Sequence, residues 1–362
     1  QKYGANPFAL ALEDDEYFAY GGDFGDVPHS STTCLNGIVR ADRVPHPQYY
    51  EVQKVNQFLN FELVSSSNIH VINSYHFTSA DEFDYFYEFV DDGKVVYASE
   101  QPINTNEILE IPAFDDTEGE VFLNVYARLR RSTIWADAGF TVAKEQFLLV
   151  EKPAAKFEAG TGTSAVQESD QSYLITTGKE TITIEKATGH LISWKHEDSE
   201  LLKEPLKPYF SKPATENQKH NNYNRRLGPW RNAGEEMKTV SANVSKQDGC
   251  ILLSFEKEME IGAKYTLTYQ INNEGKVLVR ADYQPTSEKL PLMPKFGMKM
   301  LINPAMDAIT WYGKGIHENY PDRKSSEFIG EYSLPLNDFV VNYPAPQENG
   351  NRCDVRWMSF SD

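Results

Sequence analysis

Between positions 83 and 97 the chain reads Phe83-Asp84-Tyr85-Phe86-Tyr87-Glu88-Phe89-Val90, then Asp91-Asp92-Gly93, then Lys94-Val95-Val96-Tyr97. Successive strand side chains point to opposite faces, so this alternation puts Phe83, Tyr85, Tyr87 and Phe89 on one side. Large aromatic and β-branched residues suit a pleated, half-buried surface, and Asp-Gly supplies the turn. The same period of two recurs at 68–77, 108–111, 121–127 and 145–150. Aromatic residues make up 12% of the chain, which extends the bias toward strands to its full length.

Roughly seven such strands in about 100 residues predict an immunoglobulin-like sandwich over 47–152. Residues 1–46 are rich in Gly, Asp and turn formers and bury little by themselves, so they read as loops belonging to another scaffold. Pro45-His46-Pro47 marks the boundary, since each proline fixes its own φ and restricts its predecessor. A short helical pattern follows over 50–58. Residues 153–164, rich in Pro, Ala, Gly, Ser and Thr, form a linker. The third region, 165–362, opens with a hairpin across Thr188-Gly189 and carries strands near 251–255, 264–270 and 277–280. Asn272-Asn273-Glu274-Gly275 turns between the last two, and the region reads as a larger sheet sandwich. The polar stretch from Phe210 to Gly228 has no period and is expected to be a loop.

Lys and Arg number 35 against 53 Asp and Glu, a formal charge of −18. Such a surface repels phosphate backbones and anionic lipid, which argues against nucleic-acid and membrane partners. No apolar run approaches the ~20 residues of a membrane span. The first residue is Gln1 and no basic-then-apolar leader follows, so the chain is expected to be cut from something longer or processed. Cys34, Cys250 and Cys353 lie far apart and form no zinc or disulfide framework.

Four polar clusters are candidates for chemistry. Gly22-Asp23-Phe24-Gly25-Asp26 sets two carboxylates between glycines, as a hard-cation site or a glycine-shaped turn. Thr33-Cys34-Leu35-Asn36-Gly37 offers an amide oxygen to a cation or a sugar hydroxyl, or is a plain Asn-Gly turn. Residues 311–323 pack His317, Glu318, Asp322 and Arg323 among aromatics. Glu318 and Asp322 could form an acid–base pair, or His317 act as a base, or the whole be a network of charge-assisted hydrogen bonds. Residues 346–353 have the same character. No G-x-S-x-G elbow, P-loop, G-x-G-x-x-G or H-E-x-x-H occurs.

In this order, Tyr20-Gly21-Gly22-Asp23-Phe24-Gly25-Asp26, Asn36-Gly37 with Ala41-Asp42-Arg43 and Pro45-His46-Pro47, Trp311-Tyr312-Gly313 with Glu318-Asn319-Tyr320-Pro321-Asp322-Arg323, and Glu348-Asn349-Gly350-Asn351-Arg352-Cys353 resemble the C-terminal half of the bacterial β-galactosidases of glycoside hydrolase family 2. Lys212-Pro213-Ala214-Thr215-Glu216-Asn217-Gln218 resembles a loop of that family, with departures at most positions. The resemblance implies a mainly β chain: 1–46 the tail of a catalytic (β/α)8 barrel, 47–152 the sandwich, and 165–362 a truncated supersandwich like that of galactose mutarotases. It implies retaining hydrolysis of β-galactosides by a complete enzyme using Mg2+ and Na+, often a homo-oligomer, in the cytoplasm or periplasm. Both catalytic glutamates and the magnesium ligands would precede Gln1, leaving no catalytic residue here and an isolated chain that is inactive. Asn36 would contact substrate and Na+, and the backbone carbonyl of Thr33, where the family often has Phe, would be a sodium ligand. The alternatives are a non-catalytic sandwich that scaffolds or binds carbohydrate, and a mutarotase-like isomerase.

Overall fold

The structure, a computed structural model, describes residues 18–114, 118–341, 343 and 346–362. Residues 1–17 of the expected barrel tail lie outside the described residues. The described chain is mainly β, and packing divides it into two compact units, 1–154 together with 307–362, and 155–306. These units follow contact rather than chain order, since 307–362 packs with the first unit.

The first unit contains the sandwich. One sheet pairs Leu59–Ser65, Asn68–Asn73 and Ile108–Glu110, and the other runs Lys94–Ala98, Phe83–Asp91, Val121–Leu129, Thr141–Val150. That makes seven strands among the described residues, as the alternation predicts. Phe83, Tyr85, Tyr87 and Phe89 stand opposite Leu129, Ala127, Val125 and Leu123. All eight are buried, and they join Leu59, Phe61, Ile69 and Val71 of the facing sheet in one core. Each large side chain buried in this way contributes about 1.5–3 kcal/mol. The Tyr85 hydroxyl is satisfied by donating to the Ala80 carbonyl at 2.8 Å.

The alternation at 68–77 overestimates its strand, which stops at Asn73. The Asn73 side chain accepts the Tyr75 N–H at 2.9 Å and donates to the Thr78 carbonyl at 2.8 Å. That Asx turn diverts the backbone and leaves Phe77 fully exposed. The predicted helix forms earlier than its apolar pattern, over Pro47–Val55, because Pro47 sits in the first turn where a missing N–H is harmless. A third sheet in this unit has Ala308–Lys314 between Ile329–Pro335 and Trp357–Ser361.

In the second unit, one sheet runs Gly297–Ile302, Leu202–Tyr209, Leu191–His196, Glu180–Glu185, Ser172–Thr176, Ala165–Glu168, with Ser199–Glu200 beside Leu191–His196. The other is a meander of Lys238–Gln247, Cys250–Met259, Ala263–Ile271 and Val277–Pro285. Ile182, Ile184 and Leu191 from the first sheet meet Leu253, Phe255, Leu267 and Tyr269 from the second. Both predicted hairpins form. At the second, Gly275 has φ +84°, and a Cβ there would stand 2.1 Å from Cγ of Glu180, so glycine is required. The 153–164 linker is pinned to this turn: Asn273 N–H donates to the Ala159 carbonyl at 2.8 Å and Asn272 Nδ2 to that of Glu158 at 3.0 Å.

The stretch 210–228, expected to be a loop, instead holds two helical turns, Glu216–His220 and Tyr223–Leu227. Thr215 caps the first: its side chain accepts the Gln218 N–H at 3.4 Å, and the Gln218 side chain accepts the Thr215 N–H at 3.1 Å. The Thr-x-x-Gln spacing of this capping box is the signal the absence of apolar periodicity hides. Among the described residues no helix is long and apolar enough to cross a membrane.

Candidate functional site

The described part of 1–46 is built from turns closed by their own side chains. Asp23 accepts the Tyr20 N–H at 2.9 Å and Asp26 the Gly22 N–H at 3.0 Å. The Gly22 N–H holds the Asp26 carboxyl below its usual range. Both carboxylates therefore shape the glycine turn of residues 22–26.

Next comes a short 3-10 helix, Ser31–Leu35, ended by Asn36, whose N–H donates to the Thr33 carbonyl at 3.1 Å. The two residues singled out by sequence are thus one turn apart and both exposed. A carbonyl oxygen has two lone pairs, so Thr33 keeps one beyond this bond. The Asn36 side chain makes no hydrogen bond among the described residues. Two neutral oxygens on one turn are donors of the kind hard cations prefer.

A small hairpin follows and fixes this turn to the body of the unit. Val39 bridges Pro45, Arg40 N–H donates to the Val44 carbonyl at 2.9 Å, and His46 N–H donates to the Ile38 carbonyl at 2.9 Å. Arg40 pairs with Asp42 at the tip. Burial pushes the Asp42 carboxyl up, but pairing with Arg40 outweighs it and leaves it below the usual range. His46 is 5% exposed, lies parallel to the Tyr343 ring at 5.8 Å and 15°, and titrates below the usual histidine range chiefly because it is buried.

Tyr343 leads into a dense polar network. Its hydroxyl donates to Oε1 of Glu318 at 2.7 Å. The Glu318 side chain, 0% exposed, also takes Arg323 Nη2 on Oε1 and the Gly350 N–H on Oε2 at 2.5 Å. Asn319, also 0% exposed, donates to the carbonyls of His317 at 2.9 Å and Lys314 at 3.3 Å, and accepts the Cys353 N–H at 2.7 Å. Asn351 returns a bond to the Asn319 carbonyl at 2.7 Å. These two side chains clamp the 314–323 segment to 350–353.

His317 stacks on Tyr50 at 3.8 Å, and its Nδ1 lies 3.2 Å from Oε1 of the buried Glu327. Burial pushes the Glu327 carboxyl up, but the bond and charge of His317 bring it below its usual range. Gly315 passes directly over this pair with φ +25°. Arg352 lies over Phe339 at 4.1 Å and Trp311 at 5.1 Å, and burial lowers it to about 10.

The acid–base reading of Glu318 with Asp322 does not hold: Glu318 is enclosed by Arg323, Tyr343 and Gly350, whereas Asp322 is exposed. His317 is held by its stack on Tyr50 and by Glu327 at Nδ1, a place in the same network of charge-assisted bonds. The charge-assisted network is what the structure contains. Sequence reasoning missed the roles of His46 and Tyr343. Pro45-His46-Pro47 signals a boundary, and nothing in it says that the histidine is stacked inside.

In the second unit two titratable groups, the buried Lys257 and the half-buried His190, lie near Thr188. Lys257, 3% exposed, donates from Nζ to the Thr188 carbonyl, and burial lowers it to about 8. Burial lowers His190 to about 4. Among the described residues no three His, Cys, Asp or Glu side chains gather as a metal cluster.

Comparison with known proteins places this geometry. Residues 176–362 match the family described as beta galactosidase small chain, 69–150 match beta-galactosidase domain 4, and 8–61 match the glycosyl hydrolases family 2 TIM barrel domain. The β-galactosidase of Priestia megaterium is 32% identical over 366 residues, covering 98% of this chain and 35% of that protein. That of Lactobacillus delbrueckii subsp. bulgaricus is 31% identical over 360 residues, covering 97% and 35%. Beta-galactosidase 2 of Enterobacter cloacae is 30% identical over 387 residues, covering 96% and 36%. The chain spans about a third of the length of the curated relatives it matches. With a barrel-type lead-in, a sandwich and the small-chain region matched in that order along the sequence, the chain belongs to the β-galactosidase small-chain family of glycoside hydrolases.

Proposed function

We propose that this chain is the C-terminal portion of a retaining β-galactosidase that hydrolyses terminal β-D-galactosyl residues. The observation that carries the reading is the Thr33–Asn36 turn. It lies inside the segment similar to the family 2 barrel and presents a free carbonyl lone pair and an uncommitted amide oxygen one turn apart. On this reading Thr33 and Asn36 are two of the ligands of a sodium ion, and the Asn36 amide also meets a galactosyl hydroxyl. The bound cation would orient that hydroxyl by charge. The domain reading along the chain is 1–46 as barrel tail, 47–152 as sandwich, 153–164 as linker and 165–362 as supersandwich.

Retaining hydrolysis needs an acid/base carboxyl and a nucleophile about 5–5.5 Å apart. We place both, with the Mg2+ ligands, in the part of the relatives that this chain does not cover. A positioned acid–base group contributes about 10²–10⁴ in rate. One hydrogen bond to a sugar hydroxyl contributes only about 0.5–1.5 kcal/mol. Asn36 therefore cannot restore activity alone, and the 362-residue chain is inactive by itself. The test is turnover of a nitrophenyl β-galactoside by this chain and by the longer polypeptide that carries it. Turnover by the short chain above the buffer rate overturns its assigned inactivity, and none by the longer one overturns the whole reading. The scaffold alternative is supported by the closed network around Glu318 and Asn319. Calorimetric binding of a galactoside without turnover by the longer polypeptide would favour it.

A further inference from the structure

The Thr33–Asn36 turn is exposed and makes few contacts of its own, yet a cation site needs its ligands held to a fraction of an ångström. The hairpin after it leads to the means. Two residues beyond Asn36, the Ile38 carbonyl accepts the N–H of His46, so the hairpin closes where the buried histidine stands. The His46 ring lies against Tyr343. The Tyr343 hydroxyl donates to Glu318 and also receives Gln48 Nε2 at 3.5 Å. Glu318 is fixed in turn by Arg323 and by the Gly350 N–H.

We propose that the buried series His46–Tyr343–Glu318 is a positioning device for the Thr33–Asn36 turn, through which the 307–362 part of the unit governs sodium affinity at a site it does not touch. The inference rests on the proposed sodium site. Each link is a rigid contact: a ring stack, then a charge-assisted hydrogen bond, which is the stronger kind. Groups that orient metal ligands without touching the metal typically govern affinity by about 10–100-fold. Tyr343 and His46 are positioning residues, and Asn36 is the binding group.

The experiment titrates sodium, with choline holding ionic strength constant, and reads two curves on the longer polypeptide: the sodium-dependent rise in melting temperature, which needs no turnover, and galactosidase activity. Tyr343→Phe keeps the ring and removes the donor to Glu318. It is expected to raise the half-saturating sodium concentration by about tenfold and KM with it, leaving kcat at saturating sodium within about twofold. His46→Ala should do the same, and His46→Phe, which keeps the stack, should restore the parent value. Tyr312→Phe is the control. It removes an equally buried hydroxyl-to-carboxylate bond, to Glu120, in the same unit but outside the series, and should leave the sodium curve unmoved. An unmoved curve in Tyr343→Phe and His46→Ala, or an equal shift in Tyr312→Phe, overturns the positioning role. If Asn36→Ala itself leaves the sodium curve unmoved, the proposed sodium site fails and this inference falls with it. Should Tyr343→Phe not fold, the His46→Ala and His46→Phe pair decides.

Discussion

The phenol of Tyr312 donates a 2.5 Å hydrogen bond to Oε2 of Glu120, a carboxylate 192 residues earlier in the chain. Arg356 completes the pair, with Nη2 at 2.7 Å from Oε1 and Nε at 2.9 Å from Oε2. Glu120 is a buried charge with two partners, and the two substitutions that remove them should differ. Tyr312→Phe leaves the ion pair and should lower stability by about 1.5–3 kcal/mol, the range for a bond to a charged group. Arg356→Met leaves the carboxylate without its counter-charge; solvent reaching the partly exposed guanidinium position screens part of that cost, and the loss should still exceed that of Tyr312→Phe. Urea denaturation followed by fluorescence separates the two, and equal losses would contradict this assignment.

The same pair sets an acid dependence. Burial pushes the Glu120 carboxyl up, but Arg356 and Tyr312 outweigh it and hold it below the usual 4.5. A carboxyl lowered on folding contributes stability that is fully present above its unfolded value and lost as pH falls through its folded value. The stability of the first unit should therefore fall on acidification below about 4.5, and less steeply in Arg356→Met.

Gly315 should tolerate no side chain. Its φ is +25°, and a Cβ would stand 1.7 Å from Oε2 of Glu327. Gly315→Ala must displace a buried carboxylate from His317 as well as strain the backbone. A loss on the order of 3 kcal/mol is expected. A thermal melt within about 2 °C of the parent would refute it.

Lys257 gives an alkaline counterpart to Glu120: stability again rises with pH, here because a penalty is relieved rather than a gain acquired. Burial lowers it from 10.5 to about 8, so the folded state carries an ammonium penalty below about 8. Between about 8 and 10.5 the unfolded chain binds the extra proton, and stability rises with pH. Lys257→Met should abolish that rise and be neutral or stabilising at pH near 7. Denaturation midpoints read across pH, below the range where tyrosines ionise, check both statements.

Thr215→Ala removes the cap of the Glu216–His220 turn. About 1 kcal/mol should be lost locally, read as faster amide exchange at Gln218 with little change in the global midpoint.

The strands were legible where a single rule governs them. The 83–90 alternation places four aromatics in the core because a strand buried on one face has no other way to arrange them. The same rule failed at 74–77, where the Asn73 side chain competes with the ladder for backbone groups. At 210–228 a polar side-chain cap did the work that apolar periodicity usually does. Thr33 and Asn36 could be picked out by resemblance and their spacing gave one turn. The His46–Tyr343–Glu318 series could not be, since it joins residues almost 300 positions apart and depends on tertiary packing. Glu318 and Asp322 show the converse: adjacency in sequence suggested shared chemistry, and burial separated them.

The first unit is interrupted, with the whole of 155–306 spelled out between its two parts. During synthesis at roughly 5–20 residues per second, those 152 intervening positions take about 8–30 s to emerge. For that interval a ribosome-bound sandwich holds Glu120 before either Tyr312 or Arg356 has been made. The second unit, uninterrupted, is free to mature first. The order of completion then runs against the order of the gene, and a chain halted before position 312 would display the acidic socket that Tyr312 and Arg356 are built to fill.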